Sequence, residues 1–280
     1  MREIGVSLIR EKICELFLSA NYAISEDIAC AVMEARESEE EPLAKTVLSQ
    51  LSENYEIAKA ESLPICQDTG MAIVFAEVGQ DVHIVGGDFF SAVNDGMKRA
   101  YDEGYLRKSV LKDPLFERIN TGDNSPVILH TDIVSGDKIK LTAVAKGFGS
   151  ENMSKMRIFT PAEVEQIPDF IADTVADAGS NSCPPVIVGV GLGGTVEKAA
   201  LLAKKATIRP IGSHNENPGY AALEKSLLSR INRLGIGPAG LGGSATALAV
   251  NLEYHPCHIA SVPVVVNLCC HASRHSSCTI

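Results

Sequence analysis

Residues 185–206 read PVIVGVGLGGTVEKAALLAKKA. The opening six, Pro185–Val190, form an apolar, β-branched run without polar alternation, the pattern of a strand covered on both faces. Gly191–Leu192–Gly193–Gly194 follows, and Thr195–Ala206 then carries its apolar residues at helical spacing. A buried strand that runs through glycines into a helix needs other strands beside it and helices against its faces. Two explanations of the glycines stay open. They open a helix whose free N–H groups cradle a phosphate or carboxylate, or they let helix and strand approach closely. The stretch lacks the G-K-[ST] ending of a P-loop and the full dinucleotide-binding fingerprint with its βαβ surroundings.

Working outward, Ala221–Leu234 reads as a helix stopped by Gly235, and Ala245–Tyr254 and Ser261–Leu268 as strands flanking Pro256–Cys257–His258. Toward the N-terminus, Met71–Val78, Asp81–Val85, Pro126–His130 and Lys138–Ala145 are strand-like, the last two joined by a Ser135–Gly136–Asp137 turn. Ser91–Tyr105 and Pro161–Ala178 have helical spacing, with Pro161 suited to a first turn. Residues 1–60 are helical: Ile9, Ile13, Leu16 and Phe17 share a face, and Ser25 with Glu26–Asp27 marks a helix start. The acidic run 37–41 reads as a solvated helix end. The elements do not alternate as clean βαβ units. The expected fold is a mixed α+β or irregular α/β class, irregular sheets flanked by helices, as one domain over 1–280 with a helical segment over about 1–60.

A net charge of -10 argues against a general nucleic-acid or anionic-membrane binder, which needs a basic face. It leaves room for a small anionic substrate held by a few well-placed cations. Arg10, Glu11, Lys12 and Glu15 interrupt the N-terminal apolar residues as no signal peptide would, so a cytoplasmic location is the default. The eight cysteines are then thiols rather than disulfides. No pair has CxxC spacing, so any metal site must be assembled from distant segments.

Four segments carry candidate chemistry. Pro64–Gly70 places Cys66, Gln67 and Asp68 just before a strand, where the thiol is either a ligand or a packed residue of an ordinary turn. Cys183 is followed by two prolines that fix its backbone. Cys269 and Cys270 are vicinal, and regular structure lets only one of two vicinal thiols ligate easily. Lys146–Arg157 brings glycines, hydroxyls and three cations after a strand, the content either of a loop that wraps a small anion or of a solvated basic loop.

Taken together, ICQDTG (65–70), NTGDNSPVILH (120–130), KGFGSENMSKMR (146–157), the stretch 181–206, RPIGSHNENPGYAALE (209–224) and HIASVPVVVNLCCHASRH (258–275) resemble the class I, iron–sulfur-dependent fumarate hydratases. They resemble the L(+)-tartrate dehydratases more loosely. The resemblance runs from about Ala44 onward in one order, and it implies the iron–sulfur hydro-lyase N-terminal-domain type of fold. It implies a [4Fe–4S] cluster held by Cys66, Cys183 and Cys270, with Cys270 chosen over Cys269 by its position before the His-Ala-x-Arg stretch. It further implies substrate contacts from Gln67, Arg107 and Gly149, and catalytic roles for Asp68 and His258; for His258 a core histidine capping the next strand is the plain alternative.

Such chemistry removes water from malate. An open-coordination iron stabilises the departing hydroxyl as a Lewis acid, donors around the substrate stabilise developing carboxylate charge, and a side chain handles the carbon-bound proton. Arg107 suits a bidentate grip on carboxylate. Single-chain members of the family continue into a second domain, so a separate beta subunit and a hetero-oligomer are expected. Tartrate dehydration and a non-catalytic iron–sulfur module are the alternatives, and the intact 146–157 string is closer to the fumarases.

Overall fold

A computed structural model describes residues 1–280. In chain order the elements are β1 (Arg2–Gly5), α1 (Val6–Tyr22), α2 (Glu26–Ser38), α3 (Pro42–Glu61), β2 (Met71–Gly79), β3 (Val82–Val85), α4 (Phe89–Glu103), β4 (Ile128–Val134) and β5 (Ile139–Lys146). There follow α5 (Phe148–Glu151), β6 (Lys155–Phe159), α6 (Ile167–Ala178), β7 (Val186–Gly193), α7 (Val196–Ala206), α8 (Pro218–Asn232), β8 (Ala247–His255), β9 (Val262–Cys269) and β10 (Arg274–Thr279). The mixed α/β class expected from the sequence is the one observed.

The chain folds as two compact units, each drawn from separate stretches: 1–25, 55–147 and 274–280 form one, 26–54 and 148–273 the other. The first unit holds a four-stranded sheet in the order β10-β5-β2-β4 and a small parallel pair, β1-β3. Strand β2 runs parallel to β4 and antiparallel to β5. Apolar faces of α1 and α4 close over this sheet, joining Ile9, Ile13 and Phe17 with Val93 and Met97 against Val74, Ile139 and Leu141. Phe17 and Tyr101 meet edge to face at 6.2 Å between ring centroids. Asp88 caps α4 by accepting a 2.7 Å hydrogen bond from the Ser91 N–H.

The second unit holds a sheet in the order β6-β9-β7-β8. All eight residues of β7 are buried, as its uninterrupted apolar run required. Its core combines Ile171 and Val175 of α6 and Leu227 and Ile231 of α8 with Val188, Leu252, Val264 and Val266 of the sheet.

The glycines of β7 take the packing explanation. A β-carbon on Gly189 would lie 2.3 Å from the Ala203 carbonyl oxygen, and one on Gly191 only 1.9 Å from that of Ala199. Helix α7 therefore rests directly on the strand's backbone. Strand β7 extends through Gly193, two residues before the N-cap of α7, so the glycine-rich stretch belongs mostly to the strand rather than to a loop.

Candidate active site

In the first unit, Cys66, Gln67 and Asp68 lie on the segment that enters β2, with Cys66 and Asp68 half-buried and Gln67 exposed. The Asp68 carboxylate accepts a 3.0 Å bond from the Gly70 N–H, which bends the segment onto the strand. Gly70 has φ +77°, and a β-carbon there would meet the Lys146 carbonyl carbon and oxygen at 2.7 Å. Left-handed backbone and close approach together leave room for glycine alone.

Arg107 is brought to the same segment through its backbone. The Thr69 hydroxyl donates to the Arg107 carbonyl at 2.9 Å. Asn124, fully buried, accepts from the Ser109 N–H at 2.7 Å and donates to the Gly70 carbonyl at 3.3 Å. The buried Tyr101 hydroxyl donates to the Thr69 carbonyl at 2.8 Å, and burial pushes its own ionisation well above the usual phenol range. Arg107 itself stays exposed, its guanidinium available to a ligand. Sequence reasoning missed Thr69, Tyr101 and Asn124, because their partners lie 15 to 54 residues away.

In the second unit, Cys183 precedes β7 and Cys270 follows β9. These strands are antiparallel neighbours with Ile187 opposite Cys269, so both thiols stand at one end of the sheet. Cys183 is exposed and Cys270, just past the end of β9, is half-exposed, whereas Cys269, the last residue of that strand, is buried. Cys183 adopts left-handed backbone, φ 54° and ψ 63°, unusual for a residue with a β-carbon. Gly149, in the short helix α5, lies against this loop, with its β-carbon position 3.5 Å from the Asn181 carbonyl oxygen. Glu151 fixes α5 by accepting from Asn267 Nδ2 at 2.8 Å and pairing with Lys204 of α7.

Two cations of the 146–157 segment are engaged elsewhere. Lys155 pairs with Asp177, and Arg157 pairs with Glu163 at 2.8 Å and stacks 4.4 Å over the Phe159 ring. The third, Lys146, is buried and donates to the Gly147 carbonyl at 3.0 Å. The local positive field read from this string thus loses two of its three sources.

His258 is not brought to the cysteines of its own unit. It sits in the exposed turn between β8 and β9, and its Nδ1 accepts from the Ala260 N–H at 3.2 Å. Strand β9, eight residues long, separates that turn from Cys270; at the usual rise this is roughly 25 Å. His258 and the thiols of Cys183 and Cys270 therefore occupy opposite ends of one sheet.

The donor set suits an iron–sulfur group. Cys66 of the first unit, and Cys183 and Cys270 of the second, are each outside any disulfide and at least partly accessible, as thiolate ligands of such a group would be. No three His, Cys, Asp or Glu side chains gather as they would around a single metal ion.

The chain offers accessible thiols and an exposed Arg, and comparison with known proteins gives the class to which it belongs. Residues 10–279 match the family described as "Fumarate hydratase (Fumerase)", and the chain belongs to it. A Methanocaldococcus jannaschii protein named "Putative L(+)-tartrate dehydratase subunit alpha" is 40% identical over 275 residues, covering 96% of each chain. The "L(+)-tartrate dehydratase subunit alpha" of Escherichia coli strain K12 is 29% identical over 278 residues, 98% of this chain and 91% of that one. The protein is a hydro-lyase of the fumarate hydratase and tartrate dehydratase family.

Proposed function

We propose that this chain is the alpha half of a [4Fe–4S]-dependent hydro-lyase that adds or removes water on a four-carbon 2-hydroxydicarboxylate, interconverting fumarate and (S)-malate. The single observation that carries the reading is the set of three accessible thiols at Cys66, Cys183 and Cys270, on segments that the family match spans. Dehydration of L(+)-tartrate to oxaloacetate is the second reading, favoured by the names of the relatives. Those names, as alpha subunits, also support a separate beta chain.

When bound, the cluster supplies Lewis acidity at an open iron toward the substrate hydroxyl. This chain's residues do the rest. Arg107 grips one carboxylate bidentately. Gln67 and the N–H groups around Gly149 donate to substrate oxygens where negative charge develops. Asp68, beside Cys66, takes or returns a proton at its carboxylate oxygen. His258 cannot serve the cysteines of its own sheet, so in this reading it enters the active site of a second copy. The exposed Ile259 of that turn, in which Cys257 lines an apolar cavity with Leu192, Tyr220 and Tyr254, supports the turn as a docking surface.

The test is turnover by the anaerobically reconstituted alpha–beta pair, offered (S)-malate, fumarate and L(+)-tartrate separately. Activity with malate and fumarate is expected. Preference for tartrate establishes the second reading, and no turnover of any of them by an iron-loaded pair overturns both.

A further inference from the structure

Arg274 is the largest fully buried side chain of the protein, 2% exposed, and lies four residues beyond Cys270. Its role was invisible in the sequence, where it reads as the end of a cysteine motif. The register of the first unit's sheet places it: Arg274 pairs with Ala145 of β5, and Ala145 with Ala72 of β2. It therefore stands at the sheet end from which the Cys66–Gly70 segment enters β2.

Its hydrogen bonds are few for a buried guanidinium. Nη1 reaches Asn21 Oδ1 at 3.5 Å, the outer limit of such a bond, and Nε has no partner. Asn21 is itself tied to the neighbouring segment, since its carbonyl accepts the Ile65 N–H at 2.9 Å, next to Cys66. The remaining arm points at Gly147. A β-carbon there would lie 3.2 Å from Arg274 Nη2 and 3.4 Å from Asp68 Oδ2. The guanidinium and the carboxylate thus converge on the space that Gly147 leaves open. Tyr101, whose hydroxyl holds Thr69 and Gly70, feels both charges.

A buried cation is costly unless an anion and good hydrogen bonds compensate it. Asp68 is the carboxylate that lies across the Gly147 space from Arg274 Nη2. We propose that Arg274 is a positioning residue, which holds the Asp68 carboxylate from inside the sheet at the angle needed for proton transfer beside Cys66. The proposal rests on the reading of Asp68 as the proton-handling group. In this arrangement a β-carbon on Gly147 would sit tightly against Nη2 and in ordinary contact with the Asp68 carboxylate.

The test is a double-mutant cycle in the reconstituted alpha–beta enzyme, with Arg274→Gln, Asp68→Asn and the pair, each checked for iron content and melting temperature. Misplacing a reacting group by about an ångström costs roughly 10²-fold in rate. Arg274→Gln is expected to lower kcat by that factor with KM changed less than about twofold and iron retained, while Arg274→Lys recovers part of the loss. The pair is expected to be no slower than Asp68→Asn alone, an effect that general destabilisation does not mimic. Losses that multiply in the pair, or full kcat in Arg274→Gln, overturn the proposal and leave the role of Asp68 standing. Full kcat in Asp68→Asn overturns both. If Arg274→Gln does not fold, Arg274→Lys replaces it in the cycle with the same criteria. A crystal structure of the Arg274→Lys chain gives a readout apart from activity: the Asp68 carboxylate is expected to turn from its present position, and an unmoved carboxylate contradicts the proposal.

Discussion

Cys183 carries a conformational cost in its backbone. Left-handed backbone disfavours a β-carbon by about 1–2 kcal/mol, and the residue holds φ 54° with a 3.0 Å bond from its N–H to the Ser180 carbonyl. Glycine removes that penalty and alanine keeps it. Urea unfolding of the cluster-free chain is expected to show Cys183→Gly more stable than Cys183→Ala by about 1 kcal/mol, while both lose iron. Equal stability of the two contradicts the strain. Asp123 gives a pH-dependent counterpart. Burial works against its charge, but the Ser125 hydroxyl and N–H and Lys98 at 3.2 Å prevail and hold its carboxyl at about 2. An unfolded Asp titrates near 4, so its contribution to stability is present above about pH 4 and disappears as the pH falls toward 2. The stability difference between wild type and Asp123→Asn is accordingly expected to be largest near pH 7 and to vanish near pH 2. A difference that persists at pH 2 contradicts this.

Among the elements, the contact of α7 with β7 is the tightest that the fold sets. Gly191→Ala drives a β-carbon into the Ala199 carbonyl, and the separation forced on helix and strand is expected to cost about 3 kcal/mol; a loss under about 0.5 kcal/mol by urea unfolding would contradict direct backbone packing. The same elements show what a sequence discloses. Strands β2, β5, β7, β8 and β9 were legible because each buries a face or both and so carries an apolar pattern. Strands β1, β6 and β10 were not read as strands. Each lies at an edge or in a two-stranded pair, and REIG, KMRIF and RHSSCT have too few buried positions to alternate. At the site, the thiols stood out as residues, whereas their supports did not. Thr69, Tyr101, Asn124 and Arg274 act through partners far along the chain. Lys155 and Arg157 were counted as free charge because a sequence shows cations without showing which acids neutralise them.

For the whole molecule, the sequence suggested one domain, and the structure groups the residues into two units whose segments interleave. Interleaving explains why no linker marks a boundary: the chain passes from one unit to the other inside ordinary loops and within α3. The separation of His258 from Cys183 and Cys270 also belongs to this scale. If His258 serves a neighbouring copy, alpha chains carrying His258→Asn and alpha chains carrying Cys183→Ala, each inactive with beta, are expected to regain up to about a quarter of wild-type activity when co-expressed, since random pairing gives half the dimers one intact site. No recovery from co-purified mixed dimers contradicts the exchange.

The proposed cluster stands or falls with its three thiols. Iron and acid-labile sulfide should be quantified after anaerobic reconstitution of the wild-type chain and of single serine variants at Cys66, Cys183, Cys269 and Cys270. The expected result is about four irons in the wild type and in Cys269→Ser, with the cluster lost or reduced in the other three. A full cluster in Cys66→Ser, Cys183→Ser or Cys270→Ser, or its loss in Cys269→Ser alone, would contradict the account.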